Sequence, residues 1–261
     1  MAQHAVGGGT LYYEDDGRGA PVLMLHGFAL DHRMWEPQVR AMRYRFRLVR
    51  PDLRGFGRST PPHPDHPYSH VDDLASLLDA LDLPAVHIVG LSMGAGVAVE
   101  FTLAHPERVR SLVMIDAAVD GFDFKLDQGD LPGIARTQGV EAARALWLAS
   151  DLFVPALRRP EVAAALRTIV GDYSGVHWLT EGSTEVRPPE PPMLRLGELD
   201  LPSLVLVGEL DVPDFHRLAS RLASEIRYAG RLVVPGAGHI ANMEEPVTVN
   251  RLLEEFLAGV S

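Results

Sequence analysis

The chain has 261 residues, 46% of them hydrophobic and 23% charged, which suffices for one large domain, or one domain carrying an insertion, and excludes disorder and a fibrous repeat. Its net charge of −11, with dispersed basic residues, excludes the field that would gather nucleic acid or an anionic membrane surface. The absence of cysteine excludes disulfides, thiolate nucleophiles and cysteine-ligated zinc.

The first residues, MAQHAVGGGTLYYEDDG, hold no basic segment leading into an apolar run, and no window is long enough to span a bilayer, so a cytoplasmic protein is expected. Residues around Ala5 and from Thr10 to Tyr13, joined through Gly7, Gly8 and Gly9, read as a hairpin at a sheet edge. Short runs rich in β-branched residues or leucine follow at Val22 to Leu25, Phe46 to Arg50, Val86 to Val89, Ser111 to Ile115, Ser203 to Val207 and Gly230 to Val234. Segments of helical spacing separate them, the pattern of a mostly parallel sheet with crossover helices. Ser69 and Asp72 read as a helix cap ahead of the stripe Val71, Leu74, Leu78 and Leu81, and Pro84 turns the chain into the next strand.

The alternation of strand and helix stops after Asp116. From about residue 120 to 196 there are helical patterns, among them Val140 to Leu148 and Glu161 to Val170, but no convincing strand. The run Arg187-Pro188-Pro189-Glu190-Pro191-Pro192 resists helix formation, because proline lacks the donor and clashes with the preceding turn. The expected organisation is an α/β core over residues 1–119 and 197–261, with a helical cap inserted at 120–196 and returned by the proline run.

Gly90-Leu91-Ser92-Met93-Gly94 lies between a strand and a helical segment, Ala95 to Ala104, the setting of a nucleophile elbow. Such a turn forces the serine into a strained backbone conformation, needs glycines at its flanks, and sets the hydroxyl by a helix N-terminus that favours developing negative charge. A serine hydroxyl is a weak nucleophile and needs a base, itself oriented by a carboxylate. Among eleven histidines, His239 in Pro235-Gly236-Ala237-Gly238-His239 is the best placed, just after the last strand. Asp211, in Gly208-Glu209-Leu210-Asp211, is the preferred acid, with Asp116, Glu209 and Asp214 as competitors. For the oxyanion hole the candidates are the backbone N–H of Met93 and that of Phe28, the latter in His26-Gly27-Phe28 at another strand end.

These blocks, with Pro51-Asp52-Leu53-Arg54-Gly55-Phe56-Gly57-Arg58-Ser59, occur in an order that resembles the α/β-hydrolase superfamily, and most resembles its esterase and 3-oxoadipate enol-lactonase-like branch. The resemblance spans the chain outside the cap. It implies hydrolysis of an ester or lactone through an acyl-enzyme on Ser92, without metal or organic cofactor, and a small-molecule substrate. Related dehalogenases and epoxide hydrolases carry aspartate where Ser92 stands, which disfavours those chemistries. Relatives that cleave carbon–carbon bonds commonly have tryptophan after the histidine, where this chain has Ile240. A rival reading is a ligand-binding or signal-receptor protein on the same fold with little turnover.

His63, His66 and His70, with Asp65, invite a metal site, but Pro61, Pro62, Pro64 and Pro67 point to a solvated loop. At least one of Arg54 and Arg58 is expected to brace its loop by bonding to carboxylate or backbone groups. In the cap, Trp147, Phe153, His177 and Trp178 could line an apolar substrate pocket over Ser92 or equally be cap core, with Trp147 and Trp178 the preferred pocket candidates.

Overall fold

A computed structural model describes residues 2–127, 129–180 and 184–260. The strands are β1 (Ala2–Val6), β2 (Gly9–Gly17), β3 (Ala20–Leu25), β4 (Phe46–Pro51), β5 (Val86–Leu91), β6 (Val109–Ile115), β7 (Ser203–Gly208) and β8 (Ala229–Val234). They form one sheet in the order β1-β2-β4-β3-β5-β6-β7-β8. β1 and β2 are antiparallel to their neighbours and all later pairings are parallel, so the expected mostly parallel sheet with an edge hairpin is found.

The core helices are α1 (Glu36–Met42), α2 (His70–Ala80) and α3 (Met93–Ala104). Between β6 and β7 run α4 (Leu131–Gln138), α5 (Val140–Leu148), α6 (Val154–Leu157), α7 (Pro160–Asp172) and α8 (Val176–Leu179), and after β7 come α9 (Pro213–Glu225), α10 (Ala241–Glu244) and α11 (Pro246–Gly259). No helix is long and apolar enough to cross a membrane among the described residues. Residues 120–196 contribute no strand to the sheet among those described, only an isolated bridge between Tyr68 and Glu185.

Burial follows from strand position. β5 and β7 are buried along their whole length, as continuous apolar runs require when helices cover both faces. β8, at the far edge, is largely exposed. β2 runs on to Gly17, past the expected Tyr13, because its acidic end is matched across the ladder: Arg47 bonds Asp15 at 2.7 Å and Arg50 bonds Asp16 at 2.6 Å. A charged strand end carries no hydrophobic alternation, so only its cross-strand partners reveal it. The Ser69 hydroxyl accepts from Asp72 N–H at 3.2 Å, capping α2 as expected.

The loop after β4 is braced from inside. Arg54 forks onto Asp73 at 2.9 and 2.8 Å, both side chains buried, while Asp52 accepts from His32 N–H at 2.8 Å, His32 Nδ1 at 2.7 Å and Arg58 N–H at 2.9 Å. Arg54 therefore braces its loop, as expected of at least one of Arg54 and Arg58. Asp31, His32 and Asp52 form the one cluster of potential metal ligands among the described residues, and its carboxylates are spent on these bonds and on Arg33. His63 and His66 instead pair across an exposed turn, away from the buried His70.

Candidate active site

The turn from β5 into α3 holds Ser92 at φ 52° and ψ −116°, a region that L residues avoid. Hydrogen bonds enforce it: Ser92 N–H donates to Ile115 O at 3.0 Å, and Ser92 O accepts from Ala95 at 3.0 Å, Gly96 at 3.2 Å and Ala118 at 3.0 Å. The flanking glycines permit the close passage. A Cβ on Gly90 would lie 2.4 Å from Gly94 O, and one on Gly94 would lie 2.3 Å from Leu25 O. Because the second obstacle is strand backbone, Gly94→Ala is expected to cost roughly 3 kcal/mol, the upper range for overpacking. Thermal unfolding would read this as a melting point several degrees below the parent's, and an unchanged one would refute the packing argument.

His239 reaches Ser92 from the loop after β8. Its Nε2 lies 3.0 Å from Ser92 Oγ, and its Nδ1 lies 3.0 Å from Asp211 Oδ2. With the proton on Nδ1, the imidazole donates to Asp211 and accepts from the serine hydroxyl. Asp211 stands in the turn after β7, its other oxygen accepting from Val212 N–H at 2.7 Å. The Phe215 ring, 4.2 Å from the imidazole centroid, walls the histidine.

The competing acids hold other posts. Asp116, fully enclosed at the end of β6, accepts from Gly208 N–H at 2.7 Å and from Ala241 N–H at 3.3 Å, tying the base of the Asp211 turn to the residues after His239. Burial, and next the Asp211 charge, push the Asp116 carboxyl well above the usual carboxylate range. Glu209 accepts from Gly236 N–H at 2.8 Å. Asp214, in the first turn of α9, accepts from Lys125 N–H at 2.6 Å and Leu126 N–H at 2.8 Å, and pairs with Arg217 at 2.5 Å.

Glu244 escapes sequence reasoning. Buried at the end of α10, it accepts from Gly238 N–H at 2.9 Å and Ile240 N–H at 3.2 Å, the residues on either side of His239, and so clamps the histidine loop. Burial raises its carboxyl above the ordinary range. The available signal was its place five residues after His239, within reach of the loop's own backbone.

A cavity of about 510 Å³ opens on Ser92. Phe28 and Met93 line it, and neither backbone N–H enters a turn or loop hydrogen bond among the described residues. Trp147, Leu152, Trp178 and Phe215 form much of the apolar wall, and no charged side chain faces in among the described residues. Phe153 stands behind, edge-on to Trp147 at 5.3 Å. His177 belongs to an adjoining cavity, stacked 4.4 Å from the Phe56 ring.

Residues 20–246 match a family model described as the alpha/beta hydrolase fold. The chain is 32% identical to a 2-hydroxy-6-oxononadienedioate/2-hydroxy-6-oxononatrienedioate hydrolase of Paraburkholderia xenovorans, over 95% of this chain and 90% of that one. Among solved structures it resembles a thermophilic esterase from Thermogutta terrifontis, at 30% identity and a TM-score of 0.84, covering 97% of this chain and 94% of that one. It also shares the fold of the enol-lactonase from Burkholderia xenovorans LB400, at 24% identity and a TM-score of 0.85, covering 98% and 100%.

Proposed function

Since the chain belongs to the alpha/beta hydrolase fold family, we propose that it is a serine hydrolase cleaving carboxylic esters or lactones of small hydrophobic substrates through an acyl-enzyme. The observation that carries the reading is the continuous line of 3.0 Å contacts from Ser92 Oγ to His239 Nε2 and from His239 Nδ1 to Asp211. Ser92 Oγ attacks the carbonyl carbon as His239 Nε2 takes its proton, and Asp211 stabilises the resulting imidazolium. The carbonyl oxygen, now negative, is met by the N–H groups of Phe28 and Met93. His239 then protonates the leaving alkoxide, and in the second half it activates a water that releases the acid and restores Ser92. This route calls for neither metal nor organic cofactor.

In this reading residues 120–196 are a cap over a core of 1–119 and 197–261, and the cap brings Trp147 and Trp178 to the substrate. Support comes from the apolar wall facing Ser92 and from the resemblance to an esterase at 30% identity. Carbon–carbon cleavage is a weaker second reading: a relative named for a dioate substrate favours it, whereas the described residues lining the cavity at Ser92 offer two carboxylates no cationic partner.

The test is Ser92-dependent release from a panel of esters and lactones; release that persists undiminished in Ser92→Ala would end this reading. Trp147→Ala should raise KM for a butyrate ester about tenfold more than for an acetate ester, as expected for roughly 1–3 kcal/mol of apolar contact with the added methylenes. Equal losses for the two chain lengths would remove Trp147 from the pocket.

A further inference from the structure

A second cavity, of about 320 Å³, adjoins the first and shares Phe28, Met93, Ala118 and Phe124 with it. The shared residues include both oxyanion candidates, so a carbonyl held there sits at the junction, with one half of the substrate directed into each chamber. The second chamber differs in character. Its polar wall is built by His70 of α2, Glu100 of α3, and Asp120, Glu185 and Arg187.

Glu100 is the unusual member. It is only 8% exposed, it lines the cavity, and its carboxyl has no hydrogen bond to any described residue. With no donor among the described residues and its oxygens open to the cavity, this carboxyl is placed to accept a hydrogen bond from a ligand. His70, 5% exposed in the same wall, likewise has an Nδ1 with no partner among the described residues.

The facing charges decide which donor fits. Arg187 bonds Glu185 at 3.0 and 2.9 Å and lies 3.9 Å from Asp120, so its cation is already engaged by carboxylates. Burial lowers His70 to about 3 and His177 to about 4, leaving both neutral near pH 7. Tyr68 is a neutral phenol, pushed up by burial. Among the described lining residues Glu100, Glu185 and Asp120 therefore outnumber the one cation, Arg187, and the rings of Phe28, Phe56 and Phe124 add faces that attract positive charge.

We propose that this second chamber, resting on the esterase reading above, receives a protonated amine carried by one half of the substrate, with Glu100 as its carboxylate partner and the aromatic rings as its walls. A terminal carboxylate is excluded from it. Burial and the Glu185 charge push Glu100 up to about 7, so the preference for an amine strengthens as pH rises through that value and Glu100 ionises.

The experiment compares kcat/KM for butyrate esters of 3-(dimethylamino)propanol, its hydrocarbon isostere 4-methylpentanol, and 4-hydroxybutanoic acid. A reversed series carries the amine on the acyl side, as butyl 4-(dimethylamino)butanoate and its isostere. In at least one series the amine ester should exceed its isostere about tenfold at pH 8, the scale of one charge-assisted hydrogen bond. That ratio should shrink towards pH 6 and collapse in Glu100→Gln. Equal rates for amine and isostere in both series, a preferred carboxylate, or a ratio unchanged in Glu100→Gln would overturn the proposal. Binding of the same esters to Ser92→Ala, read by calorimetry, tests the chamber without turnover and separates its failure from failure of the esterase reading. The pH dependence in the parent protein tests Glu100 even where Glu100→Gln does not fold.

Discussion

Replacing Ser92 by alanine is expected to lower kcat for 4-nitrophenyl butyrate by about 10⁴-fold or more, with KM changed little, because the serine acts as a unit with its base. The magnitude follows from the geometry. Ser92 Oγ is the atom that would bond the acyl carbon, and its neighbour at 3.0 Å is the one nitrogen placed to take its proton. Alanine removes nucleophile and proton donor together while leaving the turn intact, since its hydrogen bonds are all made by backbone. The strained φ of 52° is then carried by a residue whose Cβ is no larger than serine's. Intact-mass analysis of the parent during turnover should find a butyryl adduct on Ser92 that the variant lacks. A fall of less than tenfold would mean that water is activated without a covalent step.

The second large effect separates two neighbouring acids. Asp211→Asn should lose about 10³- to 10⁴-fold in kcat, whereas Asp116→Asn should lose far less activity and lose stability instead. At position 211 the amide N–H₂ can donate to Nδ1, which moves the imidazole proton to Nε2, where it faces Ser92 and blocks proton transfer. At position 116 each carboxylate oxygen accepts one backbone N–H, from Gly208 and from Ala241. Asparagine offers a single acceptor, so one of those buried donors goes unpaired at about 1–3 kcal/mol. Denaturant unfolding and steady-state kinetics on both variants decide the matter. If only the Asp116 change abolishes turnover, the acid has been misassigned.

The site was legible where its parts are local. Ser92 sits in a five-residue turn whose glycines are required because a Cβ at either would come within 2.4 or 2.3 Å of backbone oxygen, and a requirement of that kind leaves its mark in adjacent letters. His239 and Asp211 follow strands that the apolar runs reveal. The sheet was legible for the same reason, except at the acidic end of β2, whose signal lies in Arg47 and Arg50 on another strand. Between β6 and β7, α5 and α7 have amphipathic spacing long enough to read, whereas α6 and α8 each comprise 4 residues. A single turn carries no periodicity.

The posts held by Asp116, Glu244 and Glu100 were not legible, because each depends on what a fold brings alongside. Glu100 was nonetheless conspicuous in one respect: it is the lone charge in the apolar helix MGAGVAVEFTLA. A charge so placed is either satisfied at depth or waiting for something, and only the surrounding residues of α2 and the 185–187 segment distinguish the two.

The clasp of Asp214 on Lys125 and Leu126 also limits how this protein could be re-engineered. Its partners are backbone N–H groups, so almost any side chains at those positions would keep it, and proline at either would break it. If residues 120–196 select the substrate as proposed, a transplanted segment could therefore differ throughout its sequence and still latch to the helix that follows Asp211, provided two consecutive donors arrive at that point. On that proposal, diversification of substrate choice is separated from maintenance of the reaction centre.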